Sequence, residues 1–381
     1  FLFLMYNFIR VKNMDKLITF VKENKKKTIL TGSIVLLIII FILVGSILLV
    51  KIFKRYDYHE IENILVTSTK EYLQKNSSLL PTVENPEVVI EASSLISEKF
   101  MKEFSKLSKD PSCNGQIKVI YNEGFIRYEP HLECQNYSSL SLKDMILNNE
   151  EIQTENAGLY QLNNFYTYRG EYVNNYLNFA GESFRIFKFD EDKMYLILSD
   201  TANELDQSVY DDRYNETTHS NRGYNNFESS RIEESLLGIY NGFFANYQNY
   251  LVSMDACTHT RSETDFNNTG DIECTTTYKT PISLLATYDY INASMDPLCK
   301  TITSGNCSNY NYLSKATNKW WLLNGTNENS YEVYAVNVRG SVNLEQANTR
   351  KFLRVVIAIP SDAVYKQGDG SQNSPYEFYL F

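Results

Sequence analysis

Hydrophobic positions follow three different rhythms along this chain. From Ile29 to Val50 they run for twenty-two residues without a charge, directly behind Lys25-Lys26-Lys27. At about 1.5 Å per residue such a helix is about 33 Å long, enough for a hydrocarbon core of about 30 Å, so 29–53 reads as a membrane helix. Beyond it, Tyr58, Ile61, Leu65, Ser68 and Tyr72 recur at helical spacing, and Ile64 and Leu73 widen the stripe. Pro81 and Pro86 break that pattern. Residues 87–107 read as a second helix through Val89, Leu95, Ile96, Phe100 and Phe104. After Pro111 the period becomes two. Ile117–Tyr121, a turn at Asn122-Glu-Gly124 and Phe125–Tyr128 predict a hairpin, which Cys113 and Cys134 flank and could clasp.

Residues 141–165 are polar and rich in Asn and Glu, and read as an irregular linker. Phe184-Arg-Ile-Phe-Lys-Phe189 and Met194-Tyr-Leu-Ile-Leu198, joined by Asp190–Lys193, predict a second hairpin. The stretch 201–226 has no periodicity and reads as loop. Ser230 and Glu233 then form a capping-box pair that opens a helix with Ile232, Leu236, Tyr240, Phe243 and Phe244 on its apolar face. From Thr280 short strands alternate with loops, at 281–285, 320–323, 332–336, 352–359 and 376–381. No internal repeat is visible.

Charge gives this order a direction. Residues 1–27 hold seven Lys/Arg against Asp15 and Glu23, whereas the remaining chain carries 29 basic against 44 acidic side chains. A basic flank stays in the cytoplasm, so the pattern predicts a cytoplasmic tail over 1–28 and an exported C-terminal part, a single-pass plasma-membrane protein held in the bilayer through 29–50. The run is longer than a secretory signal core and lacks a small-residue cleavage site, which favours an uncleaved anchor. The first residue is Phe, and Met14 is a natural start. An acidic exterior argues against nucleic acid as a partner. All six cysteines lie beyond the apolar run, in the sequence-local pairs Cys113/Cys134, Cys257/Cys274 and Cys299/Cys307. An even number in an exported chain predicts disulfides; fifteen connectivities are open, of which neighbour pairing would close short loops.

A resemblance enters through the second half. Asn174-Asn-Tyr-Leu-Asn-Phe-Ala-Gly-Glu-Ser-Phe-Arg-Ile-Phe187 is followed in order by Pro281–Tyr290, Asn311-Tyr-Leu313, Trp320-Trp-Leu-Leu323, Val336–Val342 and Leu353-Arg-Val-Val-Ile357. These segments resemble an exported surface domain of low-GC Gram-positive bacteria (DUF6273-like), which in turn looks like the C-type-lectin-like fold of formylglycine-generating enzymes. Val355 and Phe184 depart from the pattern, standing where the family has Pro and Trp. The resemblance implies a C-type-lectin-like α+β domain over 166–381 and brings no catalytic residue with it. The segment 54–140 resembles a pilin in outline, a helical stalk with a small disulfide-clasped sheet, although the pilin processing motif is missing.

Candidate chemistry is sparse. The four histidines lie in unrelated segments, and no nucleophile elbow, zinc motif or phosphate loop occurs, so neither a catalytic residue, nor a metal, nor a cofactor is predicted. Asp190, Glu191 and Asp192 could offer hard oxygens to Ca²⁺ but read as a solvated turn. Trp320, Trp321 and Arg354 are the candidate ligand contacts. Adjacent residues on a strand point to opposite faces, so one of the two Trp rings must be a binding platform or be covered by a loop. The predicted whole is a membrane-anchored α+β chain presenting a non-catalytic recognition domain for glycan, peptide or partner protein, with loops 201–226, 256–276 and 296–310 as the recognition surface. A pilin-like structural subunit and a degenerate formylglycine-generating-type enzyme are the alternatives.

Overall fold

The computed structural model describes residues 39–40, 55–108, 110, 112–201, 207–266 and 268–381. The expected membrane helix, apart from Ile39 and Ile40, lies outside the described residues, as does the basic tail. No helix among the described residues is long and apolar enough to cross a membrane. That finding overturns both the membrane-anchored α+β class and the single-pass plasma-membrane location expected from the sequence. Among the described residues strand, at 34%, also outweighs helix, at 22%, so they are mostly β.

The helix α1 (Tyr58–Lys75) has its own beginning at Asp57. The N–H of Glu60 donates to the Asp57 carboxylate at 2.7 Å, and the N–H of Asp57 donates to the Glu60 carboxylate at 3.2 Å. This reciprocal capping box starts the helix at Asp57. Its stripe of Ile61, Leu65, Tyr72 and Leu73 is buried as the spacing predicts, against Ile117, Val119 and Leu132 of a four-stranded antiparallel sheet. The strands are β1 (Glu87–Glu91), β2 (Asn114–Asn122), β3 (Phe125–Cys134) and β4 (Tyr137–Ser138), in that order.

The expected second helix over 87–107 is therefore mostly wrong. Glu-Val-Val-Ile-Glu carries three β-branched residues in a row, and β1 pairs Ile90 with Ile117 and Val88 with Val119. Only the short turns α2 (Ala92–Ser97) and α3 (Phe104–Leu107) are helical. Lys99, at φ 66°, ends the first of them, with the Phe100 N–H on the Leu95 carbonyl. The hairpin is as predicted: β2 and β3 meet across Glu123 and Gly124, both with positive φ, the geometry a two-residue turn between twisted strands requires.

The expected linker 141–165 is ordered too. Ser141 caps α4 (Leu142–Asn149), whose Leu142 and Ile146 enter the second core. The chain then forms β5 (Gly158–Leu162), β6 (Phe165–Arg169), β7 (Tyr176–Phe179), β8 (Glu182–Phe189) and β9 (Lys193–Leu198). There follow β10 (Ser208–Val209), α5 (Arg231–Gly242), β11 (Met254–Cys257), β12 (Thr277–Thr280), β13 (Ile282–Ser283) and α6 (Thr287–Ala293). The last elements are β14 (Trp320–Gly325), β15 (Glu332–Val336), β16 (Val342–Gln346), β17 (Arg350–Lys351), β18 (Val356–Pro360), β19 (Tyr365–Gln367) and β20 (Glu377–Phe378).

A seven-stranded antiparallel sheet in the order β13-β18-β9-β8-β6-β5, with β7 also on β8, forms the centre. Both faces of β8 are covered, since every residue from Phe184 to Phe189 is buried. A separate sheet β14-β15-β16 packs into the same core, and α6 is buried along its whole length. The disulfides join sequence neighbours: Cys113–Cys134, Cys257–Cys274 and Cys299–Cys307.

Candidate functional site

None of the three residues singled out as ligand contacts reaches the surface. Trp320, Trp321 and Arg354 are each 0% exposed. The two indoles do point to opposite faces, and both faces are covered. Trp320 lies edge-on to Tyr290 of α6, with the Arg354 guanidinium 4.7 Å from its ring centre. Trp321 meets Tyr210, and its Nε1 donates to the Ser208 carbonyl at 3.0 Å, so the segment after 207 is the loop that covers it. Arg354 donates to the carbonyls of Leu198, Leu313 and Ser199 and ties loop ends together. Asp190 likewise serves its own turn, accepting from the N–H groups of Asp192 and Lys193.

The structure gathers a different set of residues around Lys188. The pairing of β8 with β9 steps from Ile186↔Leu196 to Lys188↔Tyr195, leaving Phe187 as an extra residue. Such a bulge re-aims the side chains that follow it, and here it accompanies a lysine at the end of a strand that is otherwise core. Lys188 Nζ lies 3.0 Å from both oxygens of Asp289 and donates to the Tyr288 hydroxyl at 2.7 Å. The rings of Tyr288, Tyr195, Phe165 and Phe187 surround it at 4.8–5.4 Å. Burial pushes the Asp289 carboxyl above its ordinary range, although Lys188 pulls it back. Burial alone would lower Lys188, but Asp289 and Tyr288 outweigh it and hold the ammonium charged. Tyr288 is pushed up to about 12 by burial and by the Asp289 charge.

This cluster is the floor of a cleft of about 370 Å³, within the range of small-ligand sites. One wall is the β5–β6 hairpin. Phe165, Thr167 and Arg169 share a face of β6 by the two-residue period, and Asn163 and Asn164 form the turn. The other wall combines Asn292 of α6 with Asn268, Thr269 and Cys274 from the disulfide-bound loop. Asn292 Nδ2 donates to the Asn268 carbonyl at 2.8 Å and fastens that loop to the helix. Behind it, Glu273 accepts from Arg261 at 2.6 Å and from Thr287 at 2.5 Å, both buried. The walls are therefore held by bonds that do not use the carboxamides of Asn163 and Asn164, which line the cleft. Those two side chains have no hydrogen-bonded partner among the described residues.

A wider hollow of about 650 Å³ lies between α5 and β10, but its wall stops at Gln207, where the described chain is interrupted.

Sequence reasoning missed Lys188, Asp289, Phe165 and Arg169. A signal for two of them was present. Lys188 stands with Arg185 in Phe-Arg-Ile-Phe-Lys-Phe and Asp289 interrupts Ala-Thr-Tyr-Asp-Tyr-Ile, charges inside largely apolar runs. A buried charge must be paired or hydrogen-bonded, so each of these two called for a partner. No family model, curated protein or solved structure matches the chain.

Proposed function

We infer that this chain is a non-catalytic recognition protein that binds glycan in the cleft above Lys188. The lining carries the reading. Carboxamides offer a donor and an acceptor side by side, as a sugar hydroxyl pair demands, and Asn163 and Asn164 keep theirs uncommitted. A half-buried aromatic ring, Phe165, stands among them as a surface for the apolar face of a pyranose. The fixed floor and the disulfide-bound wall support the same reading, because a site that is ordered before binding loses less freedom on binding. The ordered motifs between 174 and 357 that resemble an exported surface domain support it, as do three disulfides that fit an extracellular domain.

A glycan array probed with the intact, disulfide-bonded chain tests the reading. Hits are expected from the parent chain, and they are expected to vanish in Phe165→Ala and to weaken in Asn164→Ala. A folded chain that binds nothing, or that binds equally after Phe165→Ala, sinks it.

A further inference from the structure

Arg169 is unlike the other cations of this region. Its Nε donates to the Asn292 carbonyl at 2.9 Å and its Nη2 to the Ser294 carbonyl at 3.0 Å, while its plane lies over the Tyr160 ring at 4.9 Å. Among the described residues it forms no ion pair, and its Nη1 makes no hydrogen bond. Arg185 and Arg354 also lack carboxylate partners, but they are sunk in the core, where carbonyls and the Asn175 side chain receive them. Arg169 instead lines the open cleft. Its neighbour Lys188 is neutralised by Asp289, so the floor and β6 wall together keep one positive charge, on a chain whose net charge is −10. Burial disfavours the charged guanidinium, with only Tyr160 set against it. A half-buried cation held in place by neutral carbonyls, with donors left over, is an arrangement an anion completes.

We propose that the glycan bound in this cleft carries a carboxylate, as a uronic acid does, and that Arg169 receives it. The inference rests on the glycan reading above. A carboxylate fits better than a phosphate dianion for two reasons. One uncompensated positive charge matches one negative charge, and the guanidinium fork presents parallel N–H groups at carboxylate spacing. The Asp289 carboxylate does not oppose this, because Lys188 holds both its oxygens.

The test uses the intact chain and matched oligosaccharide pairs, each a uronic-acid oligomer (oligogalacturonate, hyaluronan tetrasaccharide) beside its uncharged methyl ester, measured by titration calorimetry. At least one acid is expected to bind about tenfold or more tightly than its ester, the usual gain from charge-assisted hydrogen bonds. In Arg169→Gln that gap should close to under about threefold while ester binding persists, and in Arg169→Lys part of it should remain. Raising salt should narrow it. Equal binding of acid and ester, both abolished by Phe165→Ala, overturns the carboxylate assignment and leaves the glycan reading intact. No binding by any glycan, charged or neutral, overturns both. An acid preference that persists in folded Arg169→Gln and Arg169→Lys alike also overturns the assignment to Arg169.

Discussion

Lys188→Met separates the two halves of a buried ion pair that joins the central strand β8 to α6. The side chains of Lys188 and Asp289 are only 10% and 7% exposed, with Nζ 3.0 Å from the carboxylate. An exposed pair of this kind contributes about 0–1 kcal/mol, because water screens both partners. A buried one behaves differently when a single partner is removed. The Asp289 charge would stay behind in a site walled by aromatic rings, and such losses cost about 3–5 kcal/mol. In urea, with a slope near 3 kcal/mol per molar, the midpoint of the main unfolding transition should fall by about 1 M or more. The double variant Lys188→Met/Asp289→Leu should recover most of the loss, since replacing a whole buried pair by apolar groups is often neutral. The two singles and the double form a cycle whose coupling term isolates the pair. A loss below about 1 kcal/mol in Lys188→Met, with no recovery in the double variant, would refute the claim that this cluster is desolvated.

Other expectations rest on separate observations. Burial raises the Glu129 carboxyl to about 8, Arg127 pulling it down and Asp362 pushing it up. The folded chain therefore binds this proton more tightly than the unfolded one, and stability should fall as pH rises from about 4.5 through about 8. In Glu129→Gln that part of the pH dependence should disappear from urea midpoints, and an unchanged profile would count against it. Trp321→Ala should cost about 3–5 kcal/mol through the cavity it leaves, while the folded fraction keeps its glycan affinity. Lost binding at unchanged stability would return Trp321 to the ligand site. Replacing Cys257 and Cys274 by Ser opens a loop of sequence separation 17 and should cost about 3 kcal/mol. The same change should weaken binding, because Cys274 lines the cleft and its loop carries Asn268.

Local pattern proved a good guide wherever one element decided its own form. The stripe of α1, the turn at Glu123-Gly124, the β8–β9 hairpin and the helix after Ser230 were all legible, because period and turn chemistry suffice for them. Even there one detail differs: Glu233 reaches the N–H of Ser229 and the Tyr278 hydroxyl, not that of its cap Ser230. At residues 87–91 an apolar stripe over twenty residues points to helix, whereas three β-branched side chains and the pairing with β2 make a strand. The polar segment 141–165 concealed a helix whose contribution to the core is only Leu142 and Ile146, too few positions for a period to stand out. The site was hidden for a deeper reason. Lys188 and Asp289 lie 101 residues apart, and the bulge at Phe187 that accompanies their meeting leaves no composition signature. The Trp320-Trp321 pair is conspicuous in the sequence, yet large rings also dominate core packing.

Docking of a glycan in the cleft above Lys188 is what the binding expectations depend on. A crystal structure of the intact chain with the tightest-binding oligosaccharide from the array tests it most directly. Sugar density is expected against the Phe165 ring, within hydrogen-bond reach of Asn163 or Asn164. Density seated on any other face, with the cleft holding only water, would contradict it.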